Sequence, residues 1–349
     1  DLIDKNEFYP ADFISEGVDQ TRGWFFTLHA ISTMVMDSVA FKNVVSTGLV
    51  LDKKGVKMSK RLGNAIDPFE TLKSYGADPT RWYMITNAQP WDNLKFNLEG
   101  LDEVRRKFFG TLYNTYSFFA LYANIDRFSY KEPEMDIQLR PEIDRWIISL
   151  LNSLIKEVDA YYEDFEPTKA ARAIQSFVDE HLSNWYVRLC RRRFWKGEYT
   201  EDKISAYQTL YTCLSTISKL MSPIAPFYAD RLFLDLNEVS GKESVESVHL
   251  ADFPVYQSNL VDVALEERMA LAQNISSLTL SLRKKVSINV RQPLSKILLP
   301  VINKGFQNQV EQVKELILSE TNIKDIEFIT DAGGFISKKV KPNFKTLGP

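Results

Sequence analysis

The sequence predicts a multidomain, mainly α-helical chain: an α/β segment leads, a long helical bundle follows, and a small α+β region closes. Three observations carry this reading. Residues 1–97 alternate β-rich runs with helical periodicity, the order of an α/β sheet. From Leu98 to Asn237 apolar residues recur at helical spacing almost without a break. Beyond Ser295 two short β-rich runs flank one more helix. The 349 residues suit two or three domains of roughly 150 residues each. The expected divisions are 1–97, 98–259 and 260–349.

In chain order, Ala11 to Ser15 reads as a strand, Glu16 to Asp19 as a turn, and Gln20 to Met36 as a helix carrying Trp24, Phe25, Leu28, Met34 and Val35. Val44 to Leu51 is β-rich, and with Asp52 to Gly55 and Val56 to Met58 it predicts a hairpin. Asp67-Pro68 and Asp78-Pro79 predict two helix starts, because an Asp N-cap accepts from unpaired N–H groups and proline at the first helical position has none to lose. In the bundle, Ile143, Ile147, Leu150, Leu154, Val158 and Tyr161 form one face, and Ile174, Phe177, Leu182, Trp185 and Leu189 another. Ile204, Tyr207, Tyr211, Leu214, Ile217 and Met221 form a third, before Pro223 and Pro226 break the run. Long amphipathic helices with short breaks predict an antiparallel bundle. Tyr113, Tyr116, Phe118 and Phe119 read as core. Val261 to Lys285 reads as a helix whose Arg283-Lys284-Lys285 end faces solvent and complements the dipole. Ser295 to Val301, Phe306 to Glu320 and Ile323 to Ile329 predict a β-α-β unit.

Composition narrows the function classes. Lys plus Arg number 43 against 46 Asp plus Glu, a net charge of −3, so nucleic acid could be held only by a local basic patch. The two cysteines, Cys190 and Cys213, lack metal-ligand spacing, which argues against a disulfide framework and against zinc in this stretch; both read as small buried residues. No apolar run approaches the ~20 residues of a membrane span, and Asp1 to Lys5 lacks a signal-peptide core. A soluble, cytoplasmic protein is expected. The start without Met and the end at Pro349 read as the edges of a piece of a longer polypeptide.

The sharpest chemical signal is Lys57-Met58-Ser59-Lys60-Arg61, followed by Leu62-Gly63-Asn64. Cations around a small hydroxyl on a loop suit a clamp on phosphate oxygens. Upstream, Glu16 and Asp19 sit at the carboxyl end of a predicted strand, where open α/β sheets bind nucleotides; Asp19 could instead cap the helix that follows. Gly17 between them permits close backbone approach.

These segments carry a resemblance. Lys57 to Arg61 resembles the KMSKS-type loop of class I aminoacyl-tRNA synthetases, and Glu16 to Phe25 resembles the adenylate-binding segment of isoleucyl-tRNA synthetases. Pro90 to Phe96, Leu182 to Arg188, Val290 to Leu294 and Lys341 to Phe344 are also similar to that family, so the resemblance runs from about Phe8 to Pro349. The closing stretch and Arg61, which stands where the motif usually has serine, resemble the eukaryote-like branch. The resemblance implies the second half of a Rossmann-like catalytic domain, an anticodon-binding bundle and a small C-terminal extension. It implies that Lys60, Lys57 and Ser59 serve catalysis, that Lys60 contacts ATP, and that Glu16, Gly17, Asp19 and Gln20 bind the adenylate. ATP with Mg²⁺, isoleucine and tRNA(Ile) are the implied ligands of a monomeric enzyme. With histidine only at 29, 181 and 249, the family's His-Ile-Gly-His motif is missing, as are the editing domain and most of the amino-acid pocket, so this stretch alone is expected to be inactive yet to bind tRNA.

A second basic cluster, Arg188, Arg191, Arg192, Arg193 and Lys196, is interleaved with Trp185, Tyr186, Phe194 and Trp195. Its arginines suit either phosphate contact or structural pairing, while Trp185 and Tyr186 suit the bundle core. Two alternatives stand beside the main reading: a valyl or other branched-chain synthetase, and a non-catalytic tRNA-binding module.

Overall fold

A computed structural model of the chain describes residues 9–301 and 303–329. Asp1 to Lys5, Lys341 to Phe344 and the closing residues through Pro349 lie outside these. The chain divides into two compact units, Asp1–Val261 and Asp262–Pro349.

The first unit opens with β1 (Ala11–Gly17), α1 (Trp24–Met36) and β2 (Phe41–Thr47), a β-α-β crossover whose strands pair in parallel with Glu16 opposite Ser46 and Gly17 opposite Thr47. A 3-10 turn over Val18–Arg22 delays the helix to Trp24, later than the expected Gln20. The expected hairpin reduces to a single antiparallel bridge between Leu51 and Lys57. The backbone of β3 (Val50–Leu51) pairs in parallel with β4 (Leu94–Lys95) instead: Leu94 N–H donates to Leu49 and Phe96 N–H to Leu51. Gly48 makes this approach possible, since a Cβ there would stand 2.2 Å from the Asp92 carbonyl oxygen.

Next, α2 (Pro68–Tyr75) begins as its sequence predicts, with the Asp67 carboxylate accepting from Phe69 and Glu70 N–H. The second Asp-Pro pair behaves differently. Helix α3 (Ala77–Asn87) already starts after Gly76, so Asp78 lies inside its first turn and caps another helix altogether. Its carboxylate accepts from Tyr228 N–H at 2.5 Å, at the N-terminus of α10 (Pro226–Ser240).

The bundle comprises α4 (Leu98–Val104), α5 (Gly110–Asp126), α6 (Glu142–Glu163), α7 (Pro167–Ser176), α8 (Arg188–Trp195), α9 (Glu201–Met221) and α10. Two π-helical stretches, Arg105–Phe109 and Phe177–Val187, join α4 to α5 and α7 to α8. Ile147, Leu154, Val158, Ile174, Phe177, Leu182, Tyr207, Leu214, Ile217 and Met221 are buried, as their spacing predicts. Of the aromatic run on α5, Phe119 is buried, Tyr116 and Phe118 are partly buried, and Tyr113 is 57% exposed, so Tyr113 lies outside the core. No unit boundary falls at residue 97. Arg81 on α3 donates to the carbonyls of Ile224 and Pro223, and Trp82 stacks on Phe108 at 4.3 Å while its indole N–H reaches Gln175.

In the second unit α11 (Val263–Lys285) leads to β5 (Ile297–Pro300), α12 (Lys304–Gln312), α13 (Lys314–Thr321) and β6 (Ile326–Ile329), with β5 and β6 parallel. The solvated helix end expected at Arg283 to Lys285 holds for the two lysines only. Arg283 is 3% exposed, and its guanidinium donates to the carbonyls of Asn289, Gln292 and Asn322, fixing the Val290 to Leu294 loop to its helix.

Candidate functional site

The carboxyl end of β1 presents two exposed carboxylates, Glu16 and Asp19. Glu16 Oε1 accepts from Gly17 N–H at 3.0 Å, which curls the side chain over the strand end. Asp19 does not cap α1. Its Oδ2 accepts from the Gln20 side-chain Nε2, and Gln20 Oε1 in turn accepts from Trp24 N–H, each at 3.0 Å. Asp19 thus orients the residue that performs the capping. A Cβ at Gly17 would lie 2.7 Å from Asp19 Oδ1, so glycine is what lets this carboxylate close over the backbone. The register of Gly17 with Thr47 sets this cluster at the same sheet edge from which β2 runs on toward the cationic loop.

That loop is built on two side chains for which sequence reasoning assigned no role, Asp52 and Asn64. Asp52 Oδ1 accepts from the N–H groups of Lys54 (2.9 Å) and Val56 (2.8 Å). Its Oδ2 accepts from the Asn64 amide nitrogen at 3.0 Å. The Asn64 carbonyl oxygen accepts from Ser59 N–H at 2.9 Å, and the same amide nitrogen leans on the Lys57 carbonyl at 3.3 Å. The Asn64 amide, then the Val56 N–H, hold the Asp52 carboxyl below its ordinary range. The signal was present as an Asp three residues before Gly55 and an Asn directly after Gly63.

Within the loop the side chains divide by face. Met58 and Ile66 pack on the buried cluster of Tyr83, Leu94, Phe96 and Leu101. The Ser59 hydroxyl accepts from Leu62 N–H and caps the short 3-10 turn Lys60–Leu62. Lys57, Lys60 and Arg61 are exposed, and none has an ion-pair partner among the described residues. An anchored apolar face under three solvent-facing cations is the arrangement a polyanion clamp requires.

The second basic cluster separates into two kinds of arginine. Arg193 is structural: its guanidinium grips the fully buried Asp144 with two bonds of 2.7 and 2.8 Å and reaches Asp202 through Nε at 3.0 Å. Tyr186 and Ser205 hydroxyls donate to the same Asp144 carboxylate at 2.8 and 2.5 Å. Arg193 is therefore removed from the phosphate-contact set, because its donors point inward. Arg191, Arg192 and Lys196 are exposed on the same helix end, beside a half-exposed Trp195. Arg188 is exposed as well; it donates to the Asn184 carbonyl and lies 6.0 Å from the Trp185 ring. Trp185 and Tyr186 are buried. So are Cys190 and Cys213, and burial pushes both thiols up, Cys190 to about 12, which leaves them inert.

Among the described residues no group of three His, Cys, Asp or Glu could hold a metal ion, and no helix is long and apolar enough to cross a membrane.

Residues 2–97 match the family described as tRNA synthetases class I (I, L, M and V), and residues 144–298 match the anticodon-binding domain of tRNA ligase. The chain is 64% identical over 348 residues to an isoleucine–tRNA ligase of Bacteroides thetaiotaomicron, covering 100% of this chain and 30% of that protein. Isoleucine–tRNA ligases of Cytophaga hutchinsonii and Clostridium tetani are 65% and 46% identical, over 98% and 97% of this chain and 31% and 32% of theirs. The chain thus spans about 30% of the length of the curated relatives it matches. A leucyl enzyme from Agrobacterium radiobacter K84, solved as a ternary LeuRS-tRNA-LeuAMS complex, superposes with a TM-score of 0.56 at 22% identity. That match covers 74% of this chain and 30% of that one, and shows a shared fold. Residues 2–97 and 144–298 thus carry the class I tRNA synthetase and anticodon-binding families, and the chain is similar along its whole length to part of isoleucine–tRNA ligases.

Proposed function

We propose that the chain supplies the phosphate clamp and the tRNA-binding bundle of an isoleucine–tRNA ligase of the eukaryote-like branch. The observation that carries this is the cationic loop, with Lys57, Lys60 and Arg61 free on a base fixed by Asp52, Asn64 and Met58. In the reaction the isoleucine carboxylate attacks the α-phosphorus of ATP, the bond to the leaving oxygen breaks, and pyrophosphate departs. Negative charge grows on that leaving group, so a positioned Lys60 ammonium stabilises the transition state more than the ground state. Mg²⁺ accompanies ATP and neutralises phosphate oxygens. Glu16 and Asp19 are proposed to accept from the ribose hydroxyls or the α-ammonium group of the adenylate, with Gly17 and Gln20 shaping that edge; Lys57 assists Lys60, and Ser59 shapes the loop.

The β1-α1-β2 crossover is proposed as part of the second half of a Rossmann-like catalytic domain within 1–97. Residues 98–259 form the tRNA(Ile)-binding bundle and 260–349 the small C-terminal extension. Arg191 and Arg192, with Arg188, are the proposed phosphate contacts. The whole enzyme is proposed to be a cytoplasmic monomer, and the chain by itself to bind tRNA without activating isoleucine. Isoleucine-dependent pyrophosphate exchange by the intact protein tests the reading, with valine as the competing substrate. Lys60→Ala should lower the single-turnover rate of adenylate formation by about a hundredfold, the scale of losing one transition-state donor, while isoleucine binding is kept. An unchanged rate would refute the clamp.

A further inference from the structure

We propose that Asp52 and Asn64 are positioning residues for adenylate formation, a two-residue clasp that closes the base of the cationic loop and sets where Lys57 and Lys60 stand; this rests on the reading of that loop as the phosphate clamp. The clasp joins the two ends of the loop across twelve positions by one side-chain bond of 3.0 Å. Each partner also ties down its own end. Asp52 gathers the N–H groups of Lys54 and Val56 before the signature, and Asn64 takes the N–H of Ser59 and the carbonyl of Lys57 inside it. Lys57 and Ser59 are therefore held at the backbone while their neighbour Lys60 keeps a free ammonium. No other side chain among the described residues bonds to the backbone of residues 57–59. The clasp acts through the lysines.

The polarity of the clasp makes it testable by exchange. Asp52→Asn alone sets amide against amide, and Asn64→Asp alone sets carboxylate against carboxylate. The double variant Asp52→Asn/Asn64→Asp restores one donor facing one acceptor. It also keeps oxygens for the N–H groups of Lys54, Val56 and Ser59, while the weak 3.3 Å contact with the Lys57 carbonyl becomes acceptor against acceptor. In the intact ligase each single variant should slow single-turnover adenylate formation by about tenfold, the scale of losing one partly buried charge-assisted hydrogen bond, with the KM for isoleucine and the affinity for tRNA kept. The exchange should recover most of that loss. Parental rates in both single variants would overturn the clasp. So would a double variant as slow as the worse single one with the parental melting temperature. If a single variant fails to fold, the double variant alone decides, by rate at equal melting temperature. Lys60→Ala, run in parallel, separates the two levels: a slow Lys60→Ala enzyme beside parental clasp variants removes the clasp and leaves the clamp standing.

Discussion

Arg193→Ala should unfold the bundle more readily than any other arginine substitution on α8, and the size follows from what the guanidinium holds. It makes two bonds to Asp144, whose side chain has no solvent exposure, and two more to Asp202 through that residue's side chain and carbonyl. Truncation leaves Asp144 with the hydroxyls of Tyr186 and Ser205 but without its counter-charge. Stranding one member of a buried ion pair costs about 3–5 kcal/mol, whereas an exposed position such as Arg191 should fall within about 0.5 kcal/mol of the parent. Equilibrium urea unfolding of the chain, followed by tryptophan fluorescence, measures both. A loss below about 1 kcal/mol at pH 7 would refute the structural assignment. So would a flatter salt dependence of tRNA binding in this variant, since that is the mark of a phosphate contact.

Alanine at Arg191 or Arg192 should lower tRNA affinity and reduce the slope of log affinity against log salt by about one each, with the urea midpoint unchanged; equal slopes would place the tRNA surface elsewhere. Asp179, in the cleft beside Glu180 and Lys107, has its pKa raised to about 6, by burial first and then by the Glu180 charge. Its folded pKa exceeds the unfolded one, so its contribution is favourable at low pH and is lost as pH rises from about 4 through 6. Asp179→Asn should therefore raise the urea midpoint at pH 8 and leave it nearly unchanged at pH 4, and a midpoint equal to the parent's at pH 8 would count against it. Gly48→Ala should destabilise the β3–β4 pairing outright, because the added carbon meets the backbone of Asp92 and Asn93 rather than a side chain that could swing away. Hydrogen exchange at Leu94 and Phe96 reads that loss directly.

The parts of the fold legible in the sequence are those set by neighbours along the chain. Asp67-Pro68 starts α2 because every group involved lies within four residues. The cationic loop and the carboxylates after β1 are equally local, and so is the apolar spacing that buries Ile147, Leu154 and Val158. What failed was partnership at a distance. Asp78-Pro79 has the same local form as Asp67-Pro68, yet Asp78 serves a helix 150 residues away. Arg193 differs from Arg191 and Arg192 through Asp144, 49 positions upstream, and through Asp202. Tyr113 fits an aromatic stretch but stands on the outer side of α5, about 120° around the helix from the buried Phe119. In each case composition is right and the partner is supplied by tertiary packing, which spacing does not encode.

The same distant partnerships explain why the cationic loop and the bundle belong to one compact unit. Helix α3 is the shared element. Tyr83 lies in the cluster on which Met58 and Ile66 rest, and its hydroxyl takes the N–H of Asn97, so this face of α3 is the floor of the loop. From the same helix Asp78 caps α10, Arg81 holds the carbonyls between α9 and α10, and Trp82 is sealed against Phe108 and Gln175. Asp78 is buried with one oxygen unpaired, and burial raises its pKa even though Tyr228 and Phe227 N–H groups oppose the shift. A carboxylate kept at that cost is well suited to an orienting role, because its hydrogen-bond geometry fixes the direction of α10 where an apolar contact would let it slide. A displacement of the α9–α10 turn must therefore either break the Asp78 and Arg81 bonds or carry α3 with it, and α3 carries the floor beneath Lys57 and Lys60.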